Sequence, residues 1–172
     1  ENKVMSLKTR FGNLGNILDF DNLTEENIYV LDSPILTNSQ FKKFKKFFSK
    51  KTKVIDCTFD ISLSLKDRIE EIREEAETSV REGSTCLILS DKNISNKKAN
   101  IPSILTVGAV HSHLVKHGLR GYCSLNVECS DALDTHSFAV LVGVGATTVN
   151  PYLAIDSIYQ RFEKKLFGKS DF

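Results

Sequence analysis

The sequence has almost no net charge and no apolar run long enough to cross a membrane. Its 23 lysines and arginines balance 22 aspartates and glutamates, which gives a net charge of +1 and no broad positive field for a polyanion. No apolar stretch approaches the roughly 20 residues that span a bilayer, and the first ten residues lack the apolar segment of a signal peptide. We therefore expect no nucleic-acid partner, no membrane partner, and a location in the cytoplasm or an organelle stroma.

The motifs of several enzyme classes are also missing. The sequence has no Walker phosphate loop, no nucleophile elbow and no HExxH zinc motif. It therefore shows no motif for covalent catalysis or for nucleotide binding. The four cysteines form no CxxC pair, and at least the first three lie in apolar runs typical of buried strands, which favours reduced thiols. The glycines at 143–146 follow a predicted helix and precede a predicted strand, the reverse of a dinucleotide-binding loop, and this order indicates a packing turn.

What remains is a regular alternation of strands and helices in a chain of 172 residues, enough for one domain with its own core. We expect a single domain over 1–172, in which 1–30 is a turn-rich strand-and-loop lead-in. Strands are predicted near 53–59, 85–90, 122–128 and 146–149, and helices near 65–80, 102–116, 134–142 and 151–167. This order predicts an α/β fold with a mainly parallel sheet and helices on both faces.

An amphipathic helix is predicted ahead of the first of these strands. Thr37 and Gln40 have the spacing of a capping box, which marks a helix start. Phenylalanines follow at 41, 44, 47 and 48, a spacing that puts most of the rings on one helical face. A helix docked on a core is favoured over one lying on a membrane surface.

Polar residues stand at the end of each predicted strand, where parallel α/β folds gather their ligands. They are Asp56, Ser90 with Asp91, Glu128, and Asn150. Asp131 and Asp134, next to Glu128, could serve acid–base chemistry, but loop and helix-cap carboxylates are the favoured interpretation.

The four histidines, at 111, 113, 117 and 136, are the candidate metal ligands. His111 and His113 lie about 200° apart on a helix, a poor geometry for chelation. His113 and His117 share a helical face but would need a third ligand to hold zinc. A structural or hydrogen-bonding role is favoured, and we expect the chain to bind neither zinc nor FMN.

Long stretches of the sequence resemble the glutamate synthase large subunit between its amidotransferase and flavin domains. The strongest are 101–120 (IPSILTVGAVHSHLVKHGLR) and 124–154 (SLNVECSDALDTHSFAVLVGVGATTVNPYLA), with SLKTRFGNLGNIL, LDSPILTN and LILSD earlier in the same order as in the family. The family usually has three histidines where this chain has HSH at 111–113, a His pair where it has HS at 136–137, and Gly-Tyr-Gly at 143–145. The loss of two histidines argues further against an essential metal cluster.

The resemblance implies a noncatalytic central domain that links the glutamine amidotransferase and FMN-binding domains of one polypeptide and contributes to an ammonia tunnel. The parent enzyme makes glutamate from glutamine and 2-oxoglutarate with FMN and an iron–sulfur cluster, and the resemblance places none of these cofactors in this chain. We expect the sheet to be related to the flavin-domain (β/α) barrel or to a flavodoxin-like sheet. The expected inter-domain or tunnel surface comprises His111, His113, Glu128, His136, Asn150 and Tyr152.

Two other function classes remain open. One is a free-standing α/β module that binds a small anion at the strand ends. The other is a metal-dependent or acid–base enzyme that uses His113, His136 and Glu128.

Overall fold

A computed structural model of the protein describes residues 6–11 and 29–166, which fall into two units, Glu1–Pro34 and Ile35–Phe172. In the first unit, strand β1 (Thr9–Phe11) pairs antiparallel with strand β2 (Tyr29–Leu31). Strand β1 and the first two residues of β2 lie within the lead-in predicted at 1–30. The turn pattern predicted for its glycines and asparagines at 12–16 lies outside the described residues.

The second unit alternates strands and helices along the chain. Its elements are, in order, α1 (Asn38–Phe47), β3 (Thr52–Asp56), β4 (Thr58–Asp60), α2 (Leu65–Arg81), β5 (Cys86–Ser90), β6 (Lys98–Asn100), α3 (Ser103–Lys116), β7 (Ser124–Glu128), α4 (Thr135–Val144), β8 (Thr148–Asn150) and α5 (Tyr152–Glu163).

Strands β3, β5, β7 and β8 form one sheet in that spatial order, and all three neighbouring pairs are parallel. The predicted α/β class and parallel sheet are therefore confirmed. The strands follow one another across the sheet as they do along the chain, which is the order of a (β/α) barrel. A flavodoxin-like sheet reverses direction at a switch point, and the described strands show neither such a reversal nor a closed barrel.

The main core lies between this sheet and helices α2, α3 and α4. Alternate residues of the strands, including Leu87, Leu89, Leu125 and Val127, pack into one buried cluster with Ile72 and Ala76 of α2 and Val107, Val110 and Leu114 of α3. Because consecutive right-handed crossovers return on the same side of a sheet, these helices share one face.

Helix α1 covers the opposite face. The predicted capping box is present, since the Thr37 hydroxyl accepts from the Gln40 amide and the Gln40 side chain accepts from Thr37 N–H. Phe41 and Phe44 are fully buried, and Lys45 reaches Glu128, which alternates with core-facing Val127. Helices thus lie on both faces, and α1 is docked through its buried phenylalanines, as predicted for an amphipathic helix docked on a core. None of the helices described here has the length and hydropathy needed to span a bilayer.

The strand predicted at 122–128 begins at Ser124, after a 3-10 turn at Arg120–Tyr122, and the strand predicted at 146–149 is Thr148–Asn150. Two larger differences concern the segments 53–59 and 91–100. The strand predicted at 53–59 divides into β3 and β4, because the Asp56 carboxylate accepts from both the amide and the hydroxyl of Thr58 and turns the chain. The segment 91–100, predicted as a loop, contains β6, which pairs antiparallel with β4. At the C-terminal end, helix α5 ends at Glu163 and a turn follows, while the predicted limit at 167 lies outside the described residues.

Helix α4 ends at Val144, and Gly145 caps it in the predicted packing turn. The φ of +126° at this residue favours glycine, and a Cβ at Gly145 would overlap the His111 ring. Arg120 holds His111 in place by donating from Nε to His111 Nδ1 at 3.2 Å, and it also donates to the carbonyl of Gly145 at 2.8 Å. Gly145 therefore allows α3 and the start of β8 to approach closely.

We expect Gly145→Ala to lower the free energy of unfolding by about 2 kcal/mol or more, because it combines backbone strain with overpacking against His111. Gly143→Ala is the matched control, since Gly143 lies within α4 and a Cβ there meets no atom within 4 Å. The control should be neutral or slightly stabilising. Urea denaturation of both variants measures the difference, and equal stabilities would contradict the packing role of Gly145.

Candidate functional site

The polar residues predicted at the strand ends lie in one row across the sheet. Asp56 is in register with Ser90, Ser90 with Glu128, and Glu128 with Asn150. All four project from the face that α1 covers, because each alternates with a residue of the main core. We call the end of the main sheet where its four strands finish the carboxyl edge, and the end where they start the amino edge.

Glu128 is the centre of this row. Its side chain is 3% exposed, and its Oε1 lies 3.0 Å from Lys45 Nζ and 2.8 Å from Lys92 Nζ. Its Oε2 accepts from the Ser90 hydroxyl at 2.8 Å. Burial alone raises the pKa of this carboxyl, but the hydrogen bonds from Lys92, Lys45 and Ser90 outweigh it and hold the pKa below its usual value. Glu128 is therefore ionised at neutral pH, and its contribution to stability is lost only as the pH falls through this lowered pKa.

Asn150 connects the sheet to the start of α1. Its Nδ2 donates to the Leu36 carbonyl and to Asn38 Oδ1, both at 2.9 Å. The Asn38 amide continues the chain of contacts by donating to Asp156 Oδ1 at 2.7 Å, on α5. Because both amide hydrogens of Asn150 are used inside the protein, this residue has a positioning role.

Asp91 and Tyr152 lie beside Glu128 at the carboxyl edge. Asp91 is almost fully buried, and its Oδ2 accepts from the amide and hydroxyl of Ser130 at 2.8 and 2.6 Å. Its Oδ1 is buried without a hydrogen-bond partner among the described residues. Burial, together with the charge of Asp91, raises the pKa of the Tyr152 hydroxyl to about 12, and Lys92 Nζ lies 4.9 Å from the Tyr152 ring centroid. The Tyr152 hydroxyl therefore keeps its proton and hydrogen-bonds to the Asp91 carboxylate.

The other carboxylates and thiols considered as catalytic groups are engaged in contacts within the protein or are buried. Asp56 accepts from Thr58 and Asn93, and Asp131 and Asp134 accept from the first backbone amides of α3 and α4, as the capping interpretation predicted. All four cysteines are free and buried, and burial raises the pKa of Cys57 and Cys129 to about 12. The Ser90 and Ser130 hydroxyls donate to buried carboxylates in internal contacts, and the two lysines that an anion would need are neutralised by Glu128.

The metal site proposed from His113, His136 and Glu128 does not form. Residues 113 and 128 lie towards opposite edges of the sheet, since His113 is in the last turn of α3 and Glu128 ends β7. His136 is exposed in the first turn of α4. The only group of potential metal ligands that converges within the described ranges contains Glu77 with His113 and His117.

The six residues expected at an inter-domain surface therefore do not lie together but fall at the two ends of the sheet. Glu128, Asn150 and Tyr152 lie together at the carboxyl edge, and His136 belongs to the same end of the sheet without contacting them. His111 lies at the amino edge, where Arg120 also binds the carbonyl of Cys123 just before β7. Burial and the charge of Arg120 lower the pKa of His111, which stays neutral.

Sequence reasoning missed the two lysines that define the site. Lys45 lies 83 residues from Glu128 along the chain, and in the sequence it is one of several lysines on the solvated side of a Phe-rich helix. Lys92 follows directly after the predicted strand-end residues 90 and 91. This position could have identified Lys92 as a residue of the site from the sequence alone.

Comparison with known proteins gives a consistent result. The family described as "Glutamate synthase central domain" matches residues 1–171. The large chain of NADPH glutamate synthase from Azospirillum brasilense is 48% identical over 171 residues, which is 98% of this chain and 11% of the relative. The chloroplastic ferredoxin-dependent glutamate synthase of Spinacia oleracea is 36% identical over 93% of this chain and 10% of its own length, and the Bacillus subtilis NADPH large chain is 36% identical over 95% and 11%. The chain thus spans about a tenth of the length of these relatives.

We expect Lys45 and Lys92 to act as alternative partners of Glu128. Removing either lysine leaves the other to neutralise the carboxylate, so Lys45→Ala and Lys92→Ala should each cost about 1 kcal/mol or less. The double variant leaves a buried charge unpaired and should cost about 1–3 kcal/mol more than the sum of the single changes. Lys53→Ala, which breaks the exposed pair with Glu75, is the control and should change stability little. Additive effects in a urea-denaturation double-mutant cycle would contradict the shared role.

Proposed function

This chain belongs to the glutamate synthase central-domain family, and on that premise we propose that it is a noncatalytic connecting domain of a longer glutamate synthase polypeptide. In this proposal it is a single domain that joins the glutamine amidotransferase and FMN-binding domains and contributes to the wall of the ammonia tunnel between them. The whole enzyme makes glutamate from glutamine and 2-oxoglutarate. It functions in the cytoplasm or in an organelle stroma.

The observation that carries this proposal is a concentration of exposed apolar side chains at the carboxyl edge. Ile94 and Leu133 lie in loops after β5 and β7, and Leu153 lies in the first turn of α5 after β8. These three side chains are 45%, 67% and 48% exposed. Ile61, Leu63, Ile104 and Leu105, which follow β4 or β6, are exposed as well. An apolar rim around a row of internally paired charges is suited to contact with another protein domain.

The chemistry of the carboxyl edge also supports a connecting role over a cofactor site. A flavin phosphate needs free amides at a helix start, but the starts of α3 and α4 are already occupied by Asp131 and Asp134, whose charge would repel a phosphate. An iron–sulfur cluster needs several converging thiolates, whereas burial raises the pKa of all four cysteines. The described residues therefore fit neither cofactor, which agrees with their proposed location in other domains.

The test is made in a full-length glutamate synthase that carries this chain as its central domain. Leu133→Glu combined with Leu153→Glu places two charges in the proposed contact and should lower glutamine-dependent glutamate synthesis several-fold more than glutaminase turnover. Val115→Glu is the matched control, because Val115 is 53% exposed but lies in the last turn of α3, at the amino edge.

Two measurements separate the outcomes. The first is the ratio of glutamate formed to glutamine consumed, which should fall in the double variant and stay unchanged in the control. The second is turnover of glutamine or 2-oxoglutarate by the chain alone, which we expect to be absent. An unchanged ratio in the double variant, or turnover by the chain alone, would contradict the connecting role.

A further inference from the structure

Three potential metal ligands converge between helices α2 and α3, away from the carboxyl edge. His113 and His117 stand one turn apart on α3, with ring centroids 4.3 Å apart. Glu77 projects from α2, and its Oε2 lies 2.6 Å from His113 Nε2 and 3.7 Å from His117 Nδ1. One ligand atom from each of the three residues lies within 4.8 Å of the other two.

The surrounding contacts orient Glu77 towards the two histidines. His117 Nδ1, which lies 3.7 Å from Glu77 Oε2, now donates to the His113 carbonyl at 2.8 Å, so the His117 ring has to turn to offer a lone pair to an ion. Arg81 binds the other Glu77 oxygen, Oε1, at 2.7 Å, which leaves Oε2 directed towards the histidines. Such an outer contact fixes the orientation of a metal-binding carboxylate.

We propose that Glu77, His113 and His117 form a binding site for a divalent zinc-class ion that bridges α2 and α3. Two imidazoles and one carboxylate are a common ligand set for zinc, with bonds of about 2.0–2.1 Å, which places the ligand atoms about 3.3 Å apart in a tetrahedron. His113 Nε2 and Glu77 Oε2 are already 2.6 Å apart, so binding separates these two atoms, turns the His117 ring towards the ion, and releases the proton of the His113–Glu77 contact to solvent. Solvent fills the fourth position, because His117 is only partly buried.

This site differs from the sequence-based expectation that the chain holds no metal. That expectation was made because the histidines are poorly spaced for chelation along the sequence and no third ligand for His113 and His117 was apparent. Glu77 is 36 residues from His113 along the chain, and only the packing of α2 against α3 brings it close. The site is also independent of the proposed connecting function, since it shares no residue with the carboxyl edge.

The experiment is a titration of the metal-free chain with zinc, followed by calorimetry and by the shift of the thermal unfolding temperature. We expect about one equivalent of zinc to bind and to raise the unfolding temperature. His117→Ala and Glu77→Gln should each weaken binding at least about tenfold. His136→Ala removes an exposed histidine on α4 and is the matched control, which should bind as the unchanged chain does. A cobalt-substituted sample should show the visible absorption of a tetrahedral ion, which His117→Ala should abolish.

Circular dichroism of each variant confirms that it is folded before binding is compared. The proposal is overturned if the folded chain binds no zinc at millimolar concentration. It is also overturned if both His117→Ala and Glu77→Gln bind zinc as tightly as the unchanged chain, because the ion would then lie elsewhere.

Discussion

The buried carboxylate of Glu128 joins the parts of the second unit that the chain order alone leaves separate. Helices α2, α3 and α4 pack on one face of the sheet through apolar contacts, whereas α1 comes first in the chain and covers the other face. Lys45 of α1, Lys92 of the loop after β5 and Ser90 of β5 all meet on Glu128. A buried charge requires such partners, so Glu128 ties α1 and the 91–97 loop to the sheet, together with the buried phenylalanines of α1 and the Asn150 contacts.

This arrangement gives the two edges of the sheet different characters. At the carboxyl edge, charged groups neutralise one another and the exposed residues around them are apolar, which suits a contact with another domain. The α2–α3 site combines a carboxylate with two histidines, and Arg120 binds His111 and two backbone carbonyls at the amino edge. The proposed inter-domain contact surface is thus separate from the proposed metal site.

Local sequence signals predicted most of the fold. The capping box at Thr37 and Gln40, the apolar strand at Cys86–Ser90 and the polar strand ends all appear in the structure as expected, because each depends on neighbouring residues. Strand β6 was missed because Lys98–Asn100 is polar and is a strand only through pairing with β4. The partners Lys45 for Glu128 and Glu77 for His113 were missed for a related reason, since tertiary packing rather than local spacing brings them together.

The ionisation of Glu128 is the most direct test of this account. A carbon-detected NMR titration of the side-chain carboxyl, assigned by comparison with Glu128→Gln, measures its pKa in the folded chain. The account predicts a pKa clearly below the usual value of about 4.3 for glutamate, because Lys92, Lys45 and Ser90 stabilise the charged form more than burial opposes it. A carboxyl that titrates at or above that value would show that the lysines do not hold it, and the proposed link between α1 and the sheet would be contradicted.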